Sequence, residues 1–527
     1  MSSQDVFIRN SSGLTRQISA LDALMYSAMN PGLLFSAVYL MWAPFLYPGA
    51  NMPLAVLAVV QMFPIAGLYW LFSVAMPRSG GEYVYVSRII HPAIGLMVSF
   101  VLSLTALSWL GILQDWWMKW ALSDGFKALG IVYNSASLTS MGDFFGGAWV
   151  RTIIGTLSLV FVGWGFMKGA KWMMKLSYVT IGFCVLGLVV FAIAMTHGRQ
   201  EFITNWNAWS SLKYDDVMKL ATEGGYSLKF TFMATLMAGS TYVMMNTLGS
   251  TFSSNMAGEI RGVQKTQLLA LFGSLVIQMV LWYAFYKMMY VAWGPQWTNA
   301  LTYLFNSGNS AYPFQGEPMP TLLIAFMAKS PILVILMAVA FFMGTFGSAA
   351  GLGFGPTRNI FAWSFDRILP VKFTEINRRW RSPLWVVWIS IFVGWLFMIA
   401  DIWAPSLVAN IAYTITAWFA AWIFLGIAGM IFPYRRKEMF ENCPPLVKSR
   451  FLGIPVVSIL GFLTTLISLF VLVYMLIPYF NGSLSSTVWV MTIAFLVIPI
   501  MIYYISKAVQ STSGVSFEKQ FGELPPE

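Results

Sequence analysis

Residues 27–32, with the sequence SAMNPG, lie in the middle of an apolar segment that runs from about residue 17 to residue 45. Residues 246–250, NTLGS, occupy the equivalent place in a second apolar segment, from about 230 to 256. Pro31 has no N–H group to donate and Gly249 stabilises a helix poorly, so both segments are predicted to break near their middle. Each half of the chain therefore contains one interrupted apolar segment.

The composition places both breaks in a membrane. Of the 527 residues, 58% are hydrophobic and only 10% are charged, and the mean hydropathy is +0.70. Soluble globular proteins carry about 25% charged residues. Backbone freed from a helix inside a bilayer finds no polar partner in lipid, so such a break persists only where it is enclosed or lines a cavity. A matched pair of breaks predicts the substrate site of a secondary transporter.

Several other classes of protein are disfavoured. Cys184 lies in an apolar stretch and Cys443 in a basic loop, while His91 and His197 are far apart without clustered carboxylates, so neither a disulfide nor a metal site is predicted. No Gly-Lys dipeptide occurs, which excludes a Walker A loop. We expect no cofactor, and we expect the net charge of +11 to orient the chain in a lipid bilayer rather than to bind nucleic acid.

Twelve stretches reach the roughly 20 predominantly apolar residues that a spanning helix needs. Their approximate bounds are 19–46, 53–76, 94–121, 150–167, 176–196, 229–257, 267–293, 331–354, 384–401, 405–431, 453–478 and 487–507. An even number of spans puts both termini on one side, and most of the 31 Lys and Arg residues fall in the tails and alternate loops of that side. The positive-inside rule makes that side cytoplasmic.

Helices one to five and six to ten form two halves, and because five is odd the second half enters from the opposite face. The predicted fold is an all-α membrane protein with twelve transmembrane helices, a five-plus-five inverted repeat with broken first and sixth helices, and two peripheral helices. Its segments are a cytoplasmic N-terminal tail at 1–16, the repeats at 17–200 and 201–432, helices eleven and twelve at 433–508, and a cytoplasmic C-terminal tail at 509–527.

Four further stretches carry patterns of their own: PRSGGEYVY at 77–85, AGEI at 257–260, FGSAAGLGF at 346–354 with Arg358 and Leu369-Pro370 after it, and residues 434–455 from YRRK to GIP. In this order and spacing they resemble signatures of the amino acid–polyamine–organocation (APC) superfamily. The resemblance extends over residues 20–460. It implies alternating access and transport of amino acids or related amines across the plasma membrane without ATP.

In such proteins the substrate carboxylate meets backbone N–H groups at the first break, and the amino group meets carbonyls at the sixth-helix break. This placement of the carboxylate and the amino group agrees with the helix dipole, which puts about +0.5 charge at a helix N-terminus and about −0.5 at a C-terminus. The motif alignment implies a substrate site at the two breaks, with one further candidate on the tenth helix. Its residues are Ser27, Met29, Asn30, Pro31, Gly32, Asn246, Thr247, Leu248, Gly249, Ser250 and Tyr413.

The first break departs from the family pattern. Where members commonly carry Gly-Ser-Gly-Ile-Phe, residues 31–35 here read PGLLF. Pro31 removes one donor to a carboxylate and Leu33 is expected to narrow the cavity, which favours an amine or a small apolar substrate. Residues 178–183 of the fifth helix contain no lysine, a residue that some members place there as a built-in cation.

Energy coupling is predicted to use a proton, with sodium as the alternative. Asp22 and Glu259 belong to the two broken helices, and protonation of either would remove the cost of a desolvated carboxylate as these helices move. Glu259 could equally form a gate salt bridge. Ser348, three residues after Thr345, is the candidate sodium ligand on the eighth helix, although close helix packing is the commoner role of small residues there.

Other functions have different sequence requirements. A polyamine or organic-cation transporter of the same fold needs an acidic cavity, and few carboxylates lie at mid-membrane depth; an amino-acid exchanger of this fold is a further alternative. A non-transporting membrane sensor of amino acids often carries a sizeable soluble domain, whereas only short tails occur here. An enzyme is not expected, because no cluster of His, Asp or Glu residues and no Ser/His pair is visible.

Overall fold

The computed structural model describes residues 16–377, 382–407, 415–480, 486–512 and 521. Ten helices within these ranges are long and apolar enough to cross a membrane. They are Met52–Ala75, Pro92–Tyr133, Ala148–Met167, Ala170–Met195, Val263–Trp293, Pro331–Phe365, Leu384–Trp403, Ile415–Arg435, Val456–Leu476 and Val488–Ser511. The helical class that the composition predicts is confirmed.

The helices are numbered here in chain order. The first half contains α1 Ala20–Met29, α2 Phe35–Tyr39, α3 Ala43–Leu46, α4 Met52–Ala55, α5 Met62–Ala75, α6 Gly81–Ile89, α7 Pro92–Trp117, α8 Asp124–Tyr133, α9 Ala136–Gly146, α10 Ala148–Met167, α11 Ala170–Met195 and α12 Gly198–Trp209.

The second half contains α13 Tyr214–Glu223, α14 Phe232–Ala238, α15 Met244–Asn246, α16 Val263–Trp293, α17 Pro295–Asn306, α18 Pro320–Ala328, α19 Pro331–Phe365, α20 Leu384–Trp403, α21 Ile415–Arg435, α22 Lys437–Glu441, α23 Val456–Phe480 and α24 Ser486–Thr512. Shorter 3₁₀ or π segments are Leu40–Trp42, Val56–Gln61, Met118–Ser123, Gly239–Val243, Leu248–Asn255, Ala257–Glu259 and Val371–Thr374. A small antiparallel hairpin pairs β1, Arg450–Phe451, with β2, Ile454–Pro455.

The first interrupted segment breaks later than the sequence predicts. Helix α1 continues through Met29, because the Asn30 N–H still bonds the carbonyl of Tyr26 at 3.2 Å, and Pro31 is the first residue without a donor. The helix resumes at α2 after turns over residues 30–34. Gly32 lies in this gap with φ of +70°, and an added Cβ would meet the ring of Phe35.

The second interrupted segment tightens instead of opening into a loop. After a turn at Thr247 it continues as the 3₁₀ helix Leu248–Asn255. Hydroxyl groups of Thr247, Ser250, Thr251 and Ser254 each donate to the carbonyl three residues earlier. Such local bonds compete with the α-helical ladder, so this Ser- and Thr-rich sequence favours the tighter i to i+3 pattern.

Helix α19 packs against α7 and α11 and continues eleven residues beyond the predicted end at 354, to Phe365. Its glycines allow close approach of neighbouring helices: an added Cβ at Gly347 would lie 1.9 Å from Thr180 Oγ1, and one at Gly353 would lie 2.7 Å from Leu110. The Gly-rich surface of α19 therefore lets α7 and α11 approach it closely.

Candidate functional site

The two interruptions are in direct contact. Asn30, at the end of α1, is fully buried, and its Nδ2 donates to the carbonyl oxygen of Gly249 at 3.2 Å. A Cβ added to Gly249 would lie 2.9 Å from the Cβ of Asn30 and 3.0 Å from Leu352. Only glycine fits at position 249 without moving the first break.

Helix α19 holds the end of α1. The Ser348 hydroxyl donates to the Met29 carbonyl at 2.8 Å, and the Tyr26 hydroxyl donates to the Gly351 carbonyl at 3.0 Å. Both bonds attach the end of α1 to α19, and the Met29 carbonyl also accepts from the Gly32 N–H at 3.0 Å. The Oδ1 atom of Asn30 is buried without a hydrogen-bond partner, so this break retains an unused acceptor.

The start of α2 has no side-chain cap. Among its first N–H groups, that of Ser36 donates to the Gly32 carbonyl at 3.0 Å, and no side chain caps the others. The Leu33 carbonyl accepts from Trp282 Nε1 at 3.1 Å, and the Ser36 hydroxyl lies within hydrogen-bonding distance of Asn246 Oδ1, at 2.8 Å, and of the Pro31 carbonyl. The start of α2 is thus fixed to both α16 and the second interruption.

A cavity of about 40 Å³ lies between the interruptions. It is lined by Asn30, Pro31, Phe35, Tyr39, Thr105, Ala106, Trp109, Met245, Asn246, Leu248, Gly249, Leu352, Ile415 and Trp418. None of these residues is charged, and most are apolar or aromatic. The polar side chains among them are two amides, one threonine hydroxyl and one tyrosine hydroxyl.

The sequence-predicted site residues divide into two groups. Asn30, Pro31, Asn246, Leu248 and Gly249 line the cavity. The remaining described candidates do not line it: these are Ser27, Met29, Gly32, Thr247 and Ser250. Leu33, which is expected to narrow the cavity, does not line it either. The hydroxyls of Thr247 and Ser250 bond their own backbone instead. Tyr413 lies outside the described residues.

Sequence reasoning missed most of the apolar wall. Trp109 on α7 and Trp418 on α21 lie in apolar runs, where nothing in a single sequence distinguishes a cavity residue from a packing residue. Phe35 and Leu352 could have been proposed from the sequence, since each is within five residues of a predicted site residue. The signal that identifies all four is three-dimensional: they surround the interruptions.

Aromatic rings cover the side of the cavity next to α2 and the second half of α7. Tyr39 packs against Trp42 with ring centroids 4.7 Å apart and against Trp109 at 5.7 Å. Trp109 in turn contacts Trp116 at 5.4 Å, and Trp116 contacts Trp120 at 4.7 Å. We term these five rings the outer aromatic cluster, after the side of the membrane that the sequence predicts to be extracellular.

An ion pair lies at the end of the second interrupted segment, on the side that the sequence predicts to be cytoplasmic. Glu259 accepts from Arg358 in a two-pronged arrangement, with Oε1 to Nε at 2.8 Å and Oε2 to Nη2 at 3.3 Å. Both side chains are buried, so each charge depends on the other. The partner of Glu259 is thus Arg358 on α19, whereas Arg261 donates to the exposed carbonyl of Arg16.

The segment before α1 is attached to the same place. The N–H groups of Gln17 and Ile18 both donate to the Glu259 carbonyl, and Arg261 N–H donates to the Ile18 carbonyl. Asp22 forms a capping box with Ser19 and accepts from the Tyr178 hydroxyl at 3.1 Å. The two interrupted helices are therefore joined at the inner end as well as at the cavity.

Four charged residues at one end of α7, α10 and α20 pair with one another. Asp115 pairs with Lys119 on its own helix and, at 2.5 Å, with Arg151 on α10. Lys119 also lies 3.8 Å from Asp401 on α20. The pairing of Asp115 with Lys119 agrees with four-residue spacing on a helix.

This geometry defines a class: a helical, multi-pass membrane protein with two helix interruptions beside a small cavity. A family model described as amino acid permease matches residues 20–513. The chain belongs to the amino acid permease family of the APC superfamily, which is a family of membrane transporters. Among curated proteins no match to this chain was found.

Proposed function

We propose that the protein is a secondary active transporter that moves amino acids across the plasma membrane by alternating access. The observation that carries this proposal is the bond from Asn30 to the Gly249 carbonyl, which joins the two interruptions beside a cavity. Irregular backbone at membrane depth is tolerated where it lines such a cavity. In this proposal the ten described spans and the two interrupted segments make twelve crossings, with both termini cytoplasmic and inverted repeats at 17–200 and 201–432.

The cavity favours a neutral zwitterion with a small apolar side chain. The uncapped start of α2 offers partial positive charge to a carboxylate, and carbonyls at the Asn246–Gly249 turn offer partial negative charge to an ammonium group. Phe35, Trp109 and Trp418 supply an apolar wall for the side chain. No described lining residue is acidic, so the polyamine alternative lacks the carboxylates that would bind several ammonium groups.

In the proposed cycle the cavity widens before it admits substrate. A water molecule needs about 10–15 Å³ of cavity volume. A cavity of about 40 Å³ therefore holds a few waters and no amino acid of ordinary size. Admission of substrate requires the outer aromatic cluster or the Glu259–Arg358 pair to separate. Alternation between these two openings would carry substrate across.

Proton coupling remains our proposal for the energy source. Asp22 and Glu259, on the two interrupted segments, are the carboxylates that the sequence proposes for it. A sodium site would instead use Ser348 and Thr345; the Ser348 hydroxyl already donates to Met29, while the Thr345 hydroxyl is buried without a partner. Imposed ion gradients separate the two mechanisms.

The test is transport by the purified protein in liposomes. A panel of labelled amino acids and amines is offered under separately imposed proton and sodium gradients. We expect uptake of small apolar amino acids that rises with an inward proton gradient and ignores sodium. Binding without uptake of any compound would support the sensor instead, and uptake of polyamines alone would support the organic-cation alternative.

A further inference from the structure

Glu82, the second residue of α6, is a buried carboxylate without an ion pair. It is 1% exposed, and its Oε1 accepts a hydrogen bond of 3.0 Å from Asn359 Nδ2 on α19. The described carboxylates that are at most 2% exposed are Glu82, Asp115, Glu259 and Asp366. The other three each have a basic partner, whereas Glu82 has an amide.

Among the described residues, the elements packed against α6 carry no cation that forms an ion pair with Glu82. On α19, Arg358 pairs with Glu259 and Asp366 pairs with Arg88. Helix α7 carries no charged residue before Asp115 at its outer end, α21 carries none before Arg435, and Leu248–Asn255 carries none. Arg435 and Arg436 donate to the carbonyls of Ile90 and Arg88 at the end of α6. In the described part of the chain the other titratable groups nearby are the hydroxyls of Tyr69 on α5 and of Tyr83 and Tyr85 on α6. Arg78, before α6, donates to the Pro77 carbonyl.

Asn359 suits either protonation state of Glu82. Its Nδ2 donates to Glu82 and, at 2.9 Å, to the Ser103 hydroxyl, while its Oδ1 is buried without a partner. An amide donates to a carboxylate through its nitrogen and accepts from a carboxylic acid through its oxygen. Rotation of the amide therefore provides a partner for the O–H group once Glu82 takes up a proton.

Glu82, Asn359 and Ser103 form a cluster whose members on α7 and α19 are close in sequence to the cavity and to the Glu259–Arg358 ion pair. Ser103 precedes the cavity residue Thr105 by two positions on α7, and Asn359 directly follows Arg358 on α19. Burial raises the pKa of the Glu82 carboxyl to about 7, against the hydrogen bond from Asn359, which lowers it. A group of this kind changes charge in the range in which a proton gradient acts.

We propose that Glu82 is the proton-binding site of the transport cycle, an inference that rests on the proposed proton coupling. A proton from the outer solution joins the Glu82 carboxylate and forms a neutral carboxylic acid, and the same O–H bond breaks when the proton leaves to the inner solution. The neutral form removes a buried charge while α6 moves against α7 and α19. Substrate and proton then cross together.

The test compares variants in liposomes with the membrane potential held at zero, using the labelled amino acid that the panel identifies. One proton per zwitterion raises the accumulation ratio by up to about tenfold per pH unit of inward gradient. We expect this stimulation in the natural protein and in Glu441→Gln, a control at an exposed glutamate of α22. Glu82→Gln should lose it, yet still exchange labelled for unlabelled substrate, because exchange needs no net proton movement.

A second variant keeps the proposal testable if Glu82→Gln does not fold. Asn359→Ala removes a hydrogen bond that lowers the pKa of Glu82, so the pH midpoint of uptake should move upward. Gradient-driven accumulation in Glu82→Gln, or an unmoved midpoint in Asn359→Ala, overturns the assignment. Loss of stimulation in Asp22→Asn or Glu259→Gln alone would overturn it and retain proton coupling. A natural protein indifferent to the proton gradient would overturn both proposals.

Discussion

At the scale of single residues, Gly249 is a cavity position where an added side chain would collide with its neighbours. An added side chain there meets both Asn30 and Leu352 within 3.0 Å. The sequence predicts that glycine at this point weakens a helix; the structure adds that the missing Cβ is the space occupied by the other interruption. Gly249 therefore both weakens the helix and leaves space for the first interruption, and only the weakening of the helix can be predicted from the sequence.

We expect Gly249→Leu to abolish transport and the thermal stabilisation by substrate, while the protein still reaches the membrane. Uptake and melting temperature with and without the transported amino acid provide the measurement. The control is Gly182→Leu, because Gly182 on α11 has open space where its Cβ would lie. Normal uptake in Gly249→Leu would place the substrate site elsewhere.

Gly461 would not serve as a control for Gly249→Leu. It lies on a helix that the sequence predicts to be peripheral, where a larger side chain would be expected to fit. A Cβ there would lie 2.5 Å from the backbone nitrogen of Met430 and 2.6 Å from the carbonyl oxygen of Gly426. Helices α21 and α23 thus meet backbone to backbone at this glycine. A leucine would force them apart.

Trp418 sets the size of the apolar wall. Its Nε1 has no hydrogen-bond partner, and its ring stacks on Phe252 at 5.8 Å. Trp418→Phe removes volume and leaves no polar group unpaired, so larger apolar amino acids should compete better for uptake. Pocket changes of this size are worth roughly 1–3 kcal/mol, or about 10–200-fold in relative specificity.

The matched control for this prediction is Trp422→Phe. Trp422 lies one helical turn further along α21, donates to the Tyr69 hydroxyl at 3.1 Å and does not line the cavity. Its replacement should reduce stability without altering the order of preferred substrates. Equal changes of preference in both variants would contradict the role given to Trp418.

At the scale of elements, the existence of the two interruptions follows from sequence, but their form does not. Pro31 predicts that a helix ends, yet the preceding residues Ser27 and Met29 stay helical because their hydrogen bonds do not involve the proline nitrogen. The second interruption depends on four hydroxyls that bond backward, and a hydroxyl in an apolar run is equally compatible with an α-helix. Which helices supply the opposite wall depends on tertiary packing.

The Glu259–Arg358 pair connects the second interrupted segment to α19 and is expected to hold the inner side closed. Arg358→Gln leaves a buried carboxylate without its cation, a loss that typically costs about 3–5 kcal/mol. The state with an open inner side, in which Glu259 is hydrated, should then become more populated.

The measurement uses a cysteine at the cavity residue Thr105 in a background without Cys184 and Cys443. In inside-out vesicles, an impermeant thiol reagent should modify it faster when Arg358→Gln is present. Arg261→Gln is the control, since its exposed guanidinium contacts only the Arg16 carbonyl among the bonds described. Equal rates in all three proteins would mean that the pair does not control access.

At the scale of the whole molecule, orientation in the bilayer depends on charge and not on packing. Cysteines introduced at Ser2 and Ser513 should resist impermeant reagents in intact cells, whereas one at the exposed Ser310 should react. Both natural cysteines are removed first. Reaction at Ser2 without reaction at Ser310 would reverse the orientation and contradict the inverted repeat.

The 3₁₀ form of Leu248–Asn255 also has a mechanical consequence. A 3₁₀ helix rises about 2.0 Å per residue and an α-helix about 1.5 Å, so these eight residues extend about 4 Å further than they would as an α-helix. A switch between the two forms exchanges one set of short-range bonds for another and leaves the chain otherwise intact. Such a switch would change the distance between the ion-paired end at Glu259 and the cavity by about 4 Å.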